Sequence, residues 1–107
     1  MDASRDRELA LYSELWASLA ALLRSYTSAH GLNRKQSADV NATEDSITAR
    51  HGCRWLELRR QGASIGWTRE NGDKGVLEIT QYGTLRGPTG EEELDMAAEA
   101  WARELML

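Results

Sequence analysis

The side chains in this sequence that could ligate a metal are few and scattered. His51 and Cys53 are two residues apart, which on a β-strand places both side chains on one face. A structural zinc site needs four ligands, and a catalytic one needs three plus water. Only His30 and dispersed carboxylates could complete such a set. The sequence therefore predicts no metal site and no cofactor.

Covalent catalysis requires a nucleophile, a base and an orienting group in contact. The chain has one Cys, two His and several Ser, but no local pattern joins them. The run Glu91-Glu92-Glu93 precedes an apolar helical pattern, and consecutive helix residues point in different directions. Complementation of the helix dipole explains this run better than acid–base chemistry. We predict no catalytic residue and do not expect an enzyme.

Basic residues interleaved with aromatic ones suggest an alternative, a nucleic-acid binder that uses a sheet face. Acidic residues alternate with them, and the net charge of the chain is −4. Nucleic acid is therefore a less favoured partner than protein. The residues on which this alternative rests are Arg50, Arg54, Arg59, Arg60, Arg69, Lys74 and Arg86, with Trp55 and Tyr82.

A protein-interaction surface has the broadest support from residue types. Trp, Tyr and Arg dominate the energetics of protein interfaces. The sequence predicts a small non-catalytic interaction or accessory module, whose partner is another protein or a second copy of the chain. The candidate interaction face consists of Trp55, Arg59, Thr68, Glu78 and Tyr82.

A long helix over residues 5–29 is the first element that must position these side chains. Apolar and aromatic residues recur there in alternating steps of three and four, which is typical of a helix with one buried stripe. The stripe consists of Leu9, Tyr12, Trp16, Leu19, Leu23 and Tyr26. Residues 32–45 are polar without either period, and we interpret them as a loop.

From residue 46 to residue 86 the apolar period changes to two, which predicts an antiparallel meander of about four strands. The predicted strands are 46–50, 53–60, 63–70 and 75–82, separated by Gly-containing turns, with 84–86 as a bulged continuation. Alternation predicts a core face under both helices, formed by Leu56, Leu58, Ala63, Ile65, Trp67, Leu77 and Ile79. The candidate interaction face lies on the opposite side.

A second helix is predicted over residues 89–106. Pro88 stops the strand, and Thr89 with Glu92 three residues later matches a capping box. Leu94, Ala97 and Trp101 lie on its buried stripe. Residues 1–107 are thus predicted to form one α+β domain, in which both helices pack on one face of the sheet.

The order helix, antiparallel meander, helix resembles frataxin in topology. That resemblance implies iron handling by an acidic ridge on the first helix and first strand. Here the first helix carries Asp6, Glu8 and Glu14, interrupted by Arg5 and Arg7, and no residue motif of the family matches. A small enzyme or metal-handling domain is therefore the third alternative, which depends on fold analogy alone.

The sequence also predicts a cytoplasmic protein without membrane contact. No apolar run approaches the ~18 residues of a membrane span. The mixed-charge N-terminus does not resemble a signal peptide, and the single cysteine fits a reducing compartment.

Overall fold

The chain folds into a helix, an antiparallel sheet and a second helix. The structure is a computed structural model that describes residues 3–31 and 38–106. Within these ranges the sheet has seven strands in the order of the chain, so it is a meander. The elements are α1 (Ala3–His30), β1 (Asp39–Ala42), β2 (Ser46–His51), β3 (Arg54–Gln61), β4 (Ser64–Arg69), β5 (Lys74–Ile79), β6 (Thr84–Gly87), β7 (Gly90–Glu93) and α2 (Leu94–Met106). The α+β class, the terminal helices and the antiparallel sheet are confirmed, whereas the expected number of strands was wrong.

Both helices cover the same face of the sheet. Across β2, β3 and β4 the residues Ile47, Leu58 and Trp67 are direct partners, so their side chains share one face. This apolar face packs against Trp16, Leu19, Ala20 and Leu23 of α1 and against Leu94, Ala97, Ala98 and Trp101 of α2. The predicted core residues Leu56, Leu58, Ile65 and Ile79 are buried, and Ala63, Trp67 and Leu77 are partly buried.

The first helix is longer than the sheet that it covers. Its 28 residues span about 42 Å, whereas the eight residues of β3 span about 27 Å. Residues 7–10 are all exposed, and Leu9 is 47% exposed. The buried Trp16 is anchored at the edge of the sheet, where its Nε1 donates to the carbonyl oxygen of Thr43 at 2.8 Å. Neither described helix has the length and apolar character needed to span a membrane.

A short edge strand occupies part of the segment predicted as a loop over 32–45. Residues 32–37 lie outside the described part of the chain, but β1 pairs with β2 over 39–42. Val40 and Ala42 face the core, and Arg24 of α1 donates to the carbonyl oxygen of Val40 at 3.4 Å. Two apolar residues are too few to reveal a period of two, so packing and pairing determine this strand.

The fourth predicted strand, 75–82, is shorter in the structure, because β5 ends at Ile79 and a tight turn follows. The backbone N–H of Tyr82 donates to Thr80 Oγ1 at 3.2 Å, and Gly83 adopts a positive φ of 76°. Thr80 is buried in this turn. The chain therefore reverses, and Thr84–Gly87 forms the separate strand β6 rather than a continuation of β5.

The last helix begins at Leu94, not at residue 89 as predicted. Residues Gly90–Glu93 instead form β7, which pairs with β6 in the register Gly87↔Gly90 and Thr84↔Glu93. Thr84 Oγ1 donates to Glu91 Oε1 at 2.8 Å, which favours the extended arrangement. The capping box was therefore wrong, because pairing with β6 overrides the local helix preference of the three glutamates.

Candidate interaction face

The open face of the sheet is the side opposite the two described helices. Cross-strand partners place polar, charged and small residues there with few apolar ones. The open face carries Asp39, Asn41, Ser46, Thr48, Arg50, Trp55, Glu57, Arg59, Gln61, Ser64, Gly66, Thr68, Lys74, Val76, Glu78, Thr84, Arg86, Glu91 and Glu93. None of them is buried.

Four of the five predicted interaction residues lie on the open face. Trp55 and Thr68 are partly buried there, and Arg59 and Glu78 are exposed. Tyr82 is the exception, because it lies in the turn between β5 and β6, where it is 77% exposed. The structure thus brings Trp55, Arg59, Thr68 and Glu78 onto one surface and places Tyr82 at the end of the strands.

The centre of the open face consists of three rows that cross β3, β4 and β5. The rows are Glu57–Thr68–Lys74, Arg59–Gly66–Val76 and Gln61–Ser64–Glu78. Val76 is 63% exposed, which makes it the most exposed apolar residue of the face. Gly66 leaves a depression of about 470 Å³ beside it, lined also by Arg59, Gln61, Ser64, Asp45 and Arg60.

Charges of both signs surround this centre. Arg59 Nε donates to Glu57 Oε1 at 2.9 Å, and this hydrogen bond raises the pKa of the Arg59 guanidinium above its ordinary value. Arg86 lies 3.6 Å from Glu91. Lys74 and Glu78, which flank Val76 on β5, have no ion-pair partner among the residues that the structure describes. These two charges are therefore available to a partner.

The basic residues considered for nucleic-acid binding are divided between different surroundings. Arg54, Arg60 and Arg69 lie on the helix-covered side and are engaged within the chain, with the carbonyl oxygens of Glu104 and Glu44 and with the Glu104 carboxylate respectively. Arg50, Arg59, Lys74 and Arg86 remain on the open face, where Asp39, Glu57, Glu78, Glu91 and Glu93 outnumber them. This arrangement does not favour a polyanion.

A trough of about 660 Å³ runs between α2 and the helix-covered face of β4–β7. Its apolar lining includes Trp67, Leu77, Ala97 and Trp101. Arg69 lies 2.7 Å from Glu104 at one side of the trough, and its guanidinium stands 5.0 Å from the centre of the Trp67 ring. The two charges neutralise each other, but Lys74, Glu91 and Glu92 also line the trough, so its lining is mixed rather than apolar.

The residues considered for metal or nucleophile chemistry do not form a site in the described part of the chain, where no three His, Cys, Asp or Glu side chains gather. His51 ends β2, whereas Cys53 lies exposed in the following turn. The prediction of a shared strand face for this pair was therefore wrong. His30 Nε2 lies 3.3 Å from Glu99 on α2.

Comparisons of the chain with models of protein families, with curated proteins and with solved structures found no match. No family is therefore assigned. The frataxin-like order of elements carries no functional conclusion here, and the open face has to be interpreted from its own chemistry.

Proposed function

We propose that this protein is a small non-catalytic interaction module that binds a protein partner through the open face of its sheet. The observation that carries the proposal is the asymmetry of the sheet. Two helices cover one face, and the other face exposes a valine and a partly buried tryptophan among charges of both signs.

The composition of the open face fits a protein better than a small molecule or a nucleic acid. The depression at Gly66 is open to solvent rather than enclosed, and an open surface matches another protein surface better than it encloses a ligand. Aromatic and arginine side chains surrounded by polar groups are typical of protein interfaces. The mixed charges favour a partner with complementary charges rather than a polyanion.

Site-specific photo-crosslinking in the host cell tests this proposal. A photoreactive amino acid replaces Thr68 at the centre of the open face. In the control variant it replaces Ala21, which is exposed on the side of α1 away from the core. We expect a discrete protein adduct from position 68 that is absent from position 21, with mass spectrometry identifying the second chain.

Two results would contradict the proposal. Equal labelling from both positions, or no adduct from position 68 in cells that express the protein at its natural level, would show that the open face has no specific protein partner. A nuclease-sensitive adduct from position 68 would instead support the nucleic-acid alternative.

A further inference from the structure

One glycine on the open face, Gly66, is required neither by its backbone conformation nor by crowding from the residues that the structure describes. The sequence has nine glycines, and two physical requirements explain eight of them. Five adopt positive φ and three are crowded, so that an added Cβ would lie 3.2 Å or less from another atom. The first group is Gly52, Gly62, Gly72, Gly83 and Gly90, and the second is Gly31, Gly75 and Gly87. Gly66 belongs to neither group.

Gly66 lies in the interior of β4 without a positive φ. A Cβ added to it would have no other described atom within 4 Å beyond its immediate chain neighbours. A glycine in a strand interior weakens the strand, and it often marks a place where a ligand or another backbone approaches closely. No described residue of this chain approaches Gly66, so the space above it is open to a partner.

The direct neighbour of Gly66 supplies a group of suitable size. Val76 is its partner across β4 and β5, so a protrusion and a hollow lie side by side at the same level of the sheet. A two-fold axis that runs along the strands between β4 and β5 brings Val76 of each copy over Gly66 of the other. Such an arrangement is isologous, the commonest symmetry of homodimers.

The same axis also brings opposite charges together. It places Lys74 of one copy over Thr68 of the other, next to Glu57 in the same row. It places Glu78 over Ser64, within the reach of the long Arg59 side chain in the adjacent row. An axis perpendicular to the strands through the row of Arg59, Gly66 and Val76 would instead set Arg59 against its own copy and leave both hollows empty. Charge complementarity therefore selects the axis along the strands.

We propose that the partner of the open face is a second copy of this chain, seated face to face with Val76 in the hollow over Gly66. This inference rests on the proposed function and specifies its partner. Strands β2 to β7 overlap between the two copies, and six strands about 4.8 Å apart and about 20 Å long give a face of roughly 580 Å² in projection. A standard interface buries about 800 Å² per partner. We therefore expect a reversible dimer at micromolar concentration.

Analytical ultracentrifugation of the full chain over a wide concentration range tests the inference. We expect the native chain to dimerise, and Gly66→Val to raise the dimer Kd at least about ten-fold because the added side chain fills the hollow. The matched control is Asn41→Thr on the edge strand β1, which lies outside the predicted contact and leaves Kd unchanged. Circular dichroism shows that each variant stays folded.

A charge-reversal series tests the orientation of the two copies. Lys74→Glu should raise Kd by about ten-fold or more, because it sets a carboxylate beside Glu57 of the other copy. Adding Glu57→Lys should restore Kd to within about three-fold of the native value, as expected for coupled residues. Arg7→Glu on α1 makes the same change of charge away from the face and serves as the control.

The outcomes separate this inference from the proposed function. A chain that is monomeric at all concentrations, or whose dimer is insensitive to Gly66→Val, overturns the self-association. A crosslink from position 68 to a different protein would then preserve the interaction module and contradict only the second copy. The absence of every specific protein adduct from position 68, together with a monomer, overturns both.

Discussion

The indole of Trp67 lies flat over Gly75, its direct partner across β4 and β5 on the helix-covered face. A Cβ added to Gly75 would lie 2.6 Å from Trp67 Nε1 and 2.8 Å from its Cε2. Gly75 thus differs from Gly66 one strand away, where an added Cβ meets open space. The two glycines lie on opposite faces of the sheet, and their local surroundings predict opposite effects of the same substitution.

Gly75→Ala should lower the free energy of unfolding by about 1–3 kcal/mol, because the indole must move off its place. Gly66→Ala should raise it by about 0.5–1 kcal/mol, because alanine restricts the unfolded chain and fits the strand. Urea denaturation at low protein concentration measures both. If Trp67 causes the effect at Gly75, the loss should shrink in a Trp67→Leu background. If Gly75→Ala and Gly66→Ala changed the free energy of unfolding in the same direction, the assignment of the two glycines to opposite faces would be contradicted.

The ion pair between Arg69 and Glu104 joins the end of β4 to α2. The two side chains are 27% and 53% exposed, so solvent screens most of their attraction. Glu104→Gln should therefore lower the free energy of unfolding by less than about 1 kcal/mol, and less still at high salt. Arg69→Ala should cost about 1–2 kcal/mol, because it also uncovers the ring of Trp67. If Arg69→Ala lowered the free energy of unfolding no more than Glu104→Gln does, the stacking of Arg69 on Trp67 would contribute nothing.

Long periodic segments made the two helices and most of the strands predictable. The stripe that includes Ala97 and Trp101 extends over three turns of α2, and that part of the prediction agrees with the burial observed. The first turn was wrong because Glu91, Glu92 and Glu93 favour a helix locally, whereas in the structure they pair with β6 across the two-residue turn Pro88-Thr89. The polar run of β7 shows no period of two, and β1 escaped detection because its two apolar residues, Val40 and Ala42, are too few to show one.

The residues of the candidate face were predictable wherever apolar and polar residues alternated with a period of two and without interruption. Trp55, Arg59, Thr68 and Glu78 share a face because each lies in a strand whose register the pattern defined. Tyr82 was misplaced because Thr80 begins a turn through its side-chain hydroxyl, which composition alone does not distinguish from a strand residue. The importance of Gly66 depends on the open space above it, which only the folded chain reveals.

His51 is a polar residue whose replacement by an apolar one should be tolerated. Its Nε2 is buried and has no hydrogen-bond partner among the described residues. His51→Phe keeps a ring and removes the unsatisfied atom, so the free energy of unfolding should stay constant or rise by up to about 1 kcal/mol. Thermal denaturation at constant pH measures this difference. A loss greater than about 1 kcal/mol would show that Nε2 forms a hydrogen bond in solution.

Trp55 and Trp16 form a matched pair that tests the open face directly. Trp16 is 2% exposed in the core, so Trp16→Ala should lower the free energy of unfolding by about 3–5 kcal/mol. Trp55 lies partly buried on the open face, so Trp55→Ala should leave the domain folded. It should nevertheless weaken partner binding by more than about 1 kcal/mol, as truncation of an interface tryptophan does. Calorimetric unfolding and the dimer Kd of the same samples separate the two effects. If Trp55→Ala unfolds the domain as Trp16→Ala does, Trp55 belongs to the core and the interaction surface must lie elsewhere.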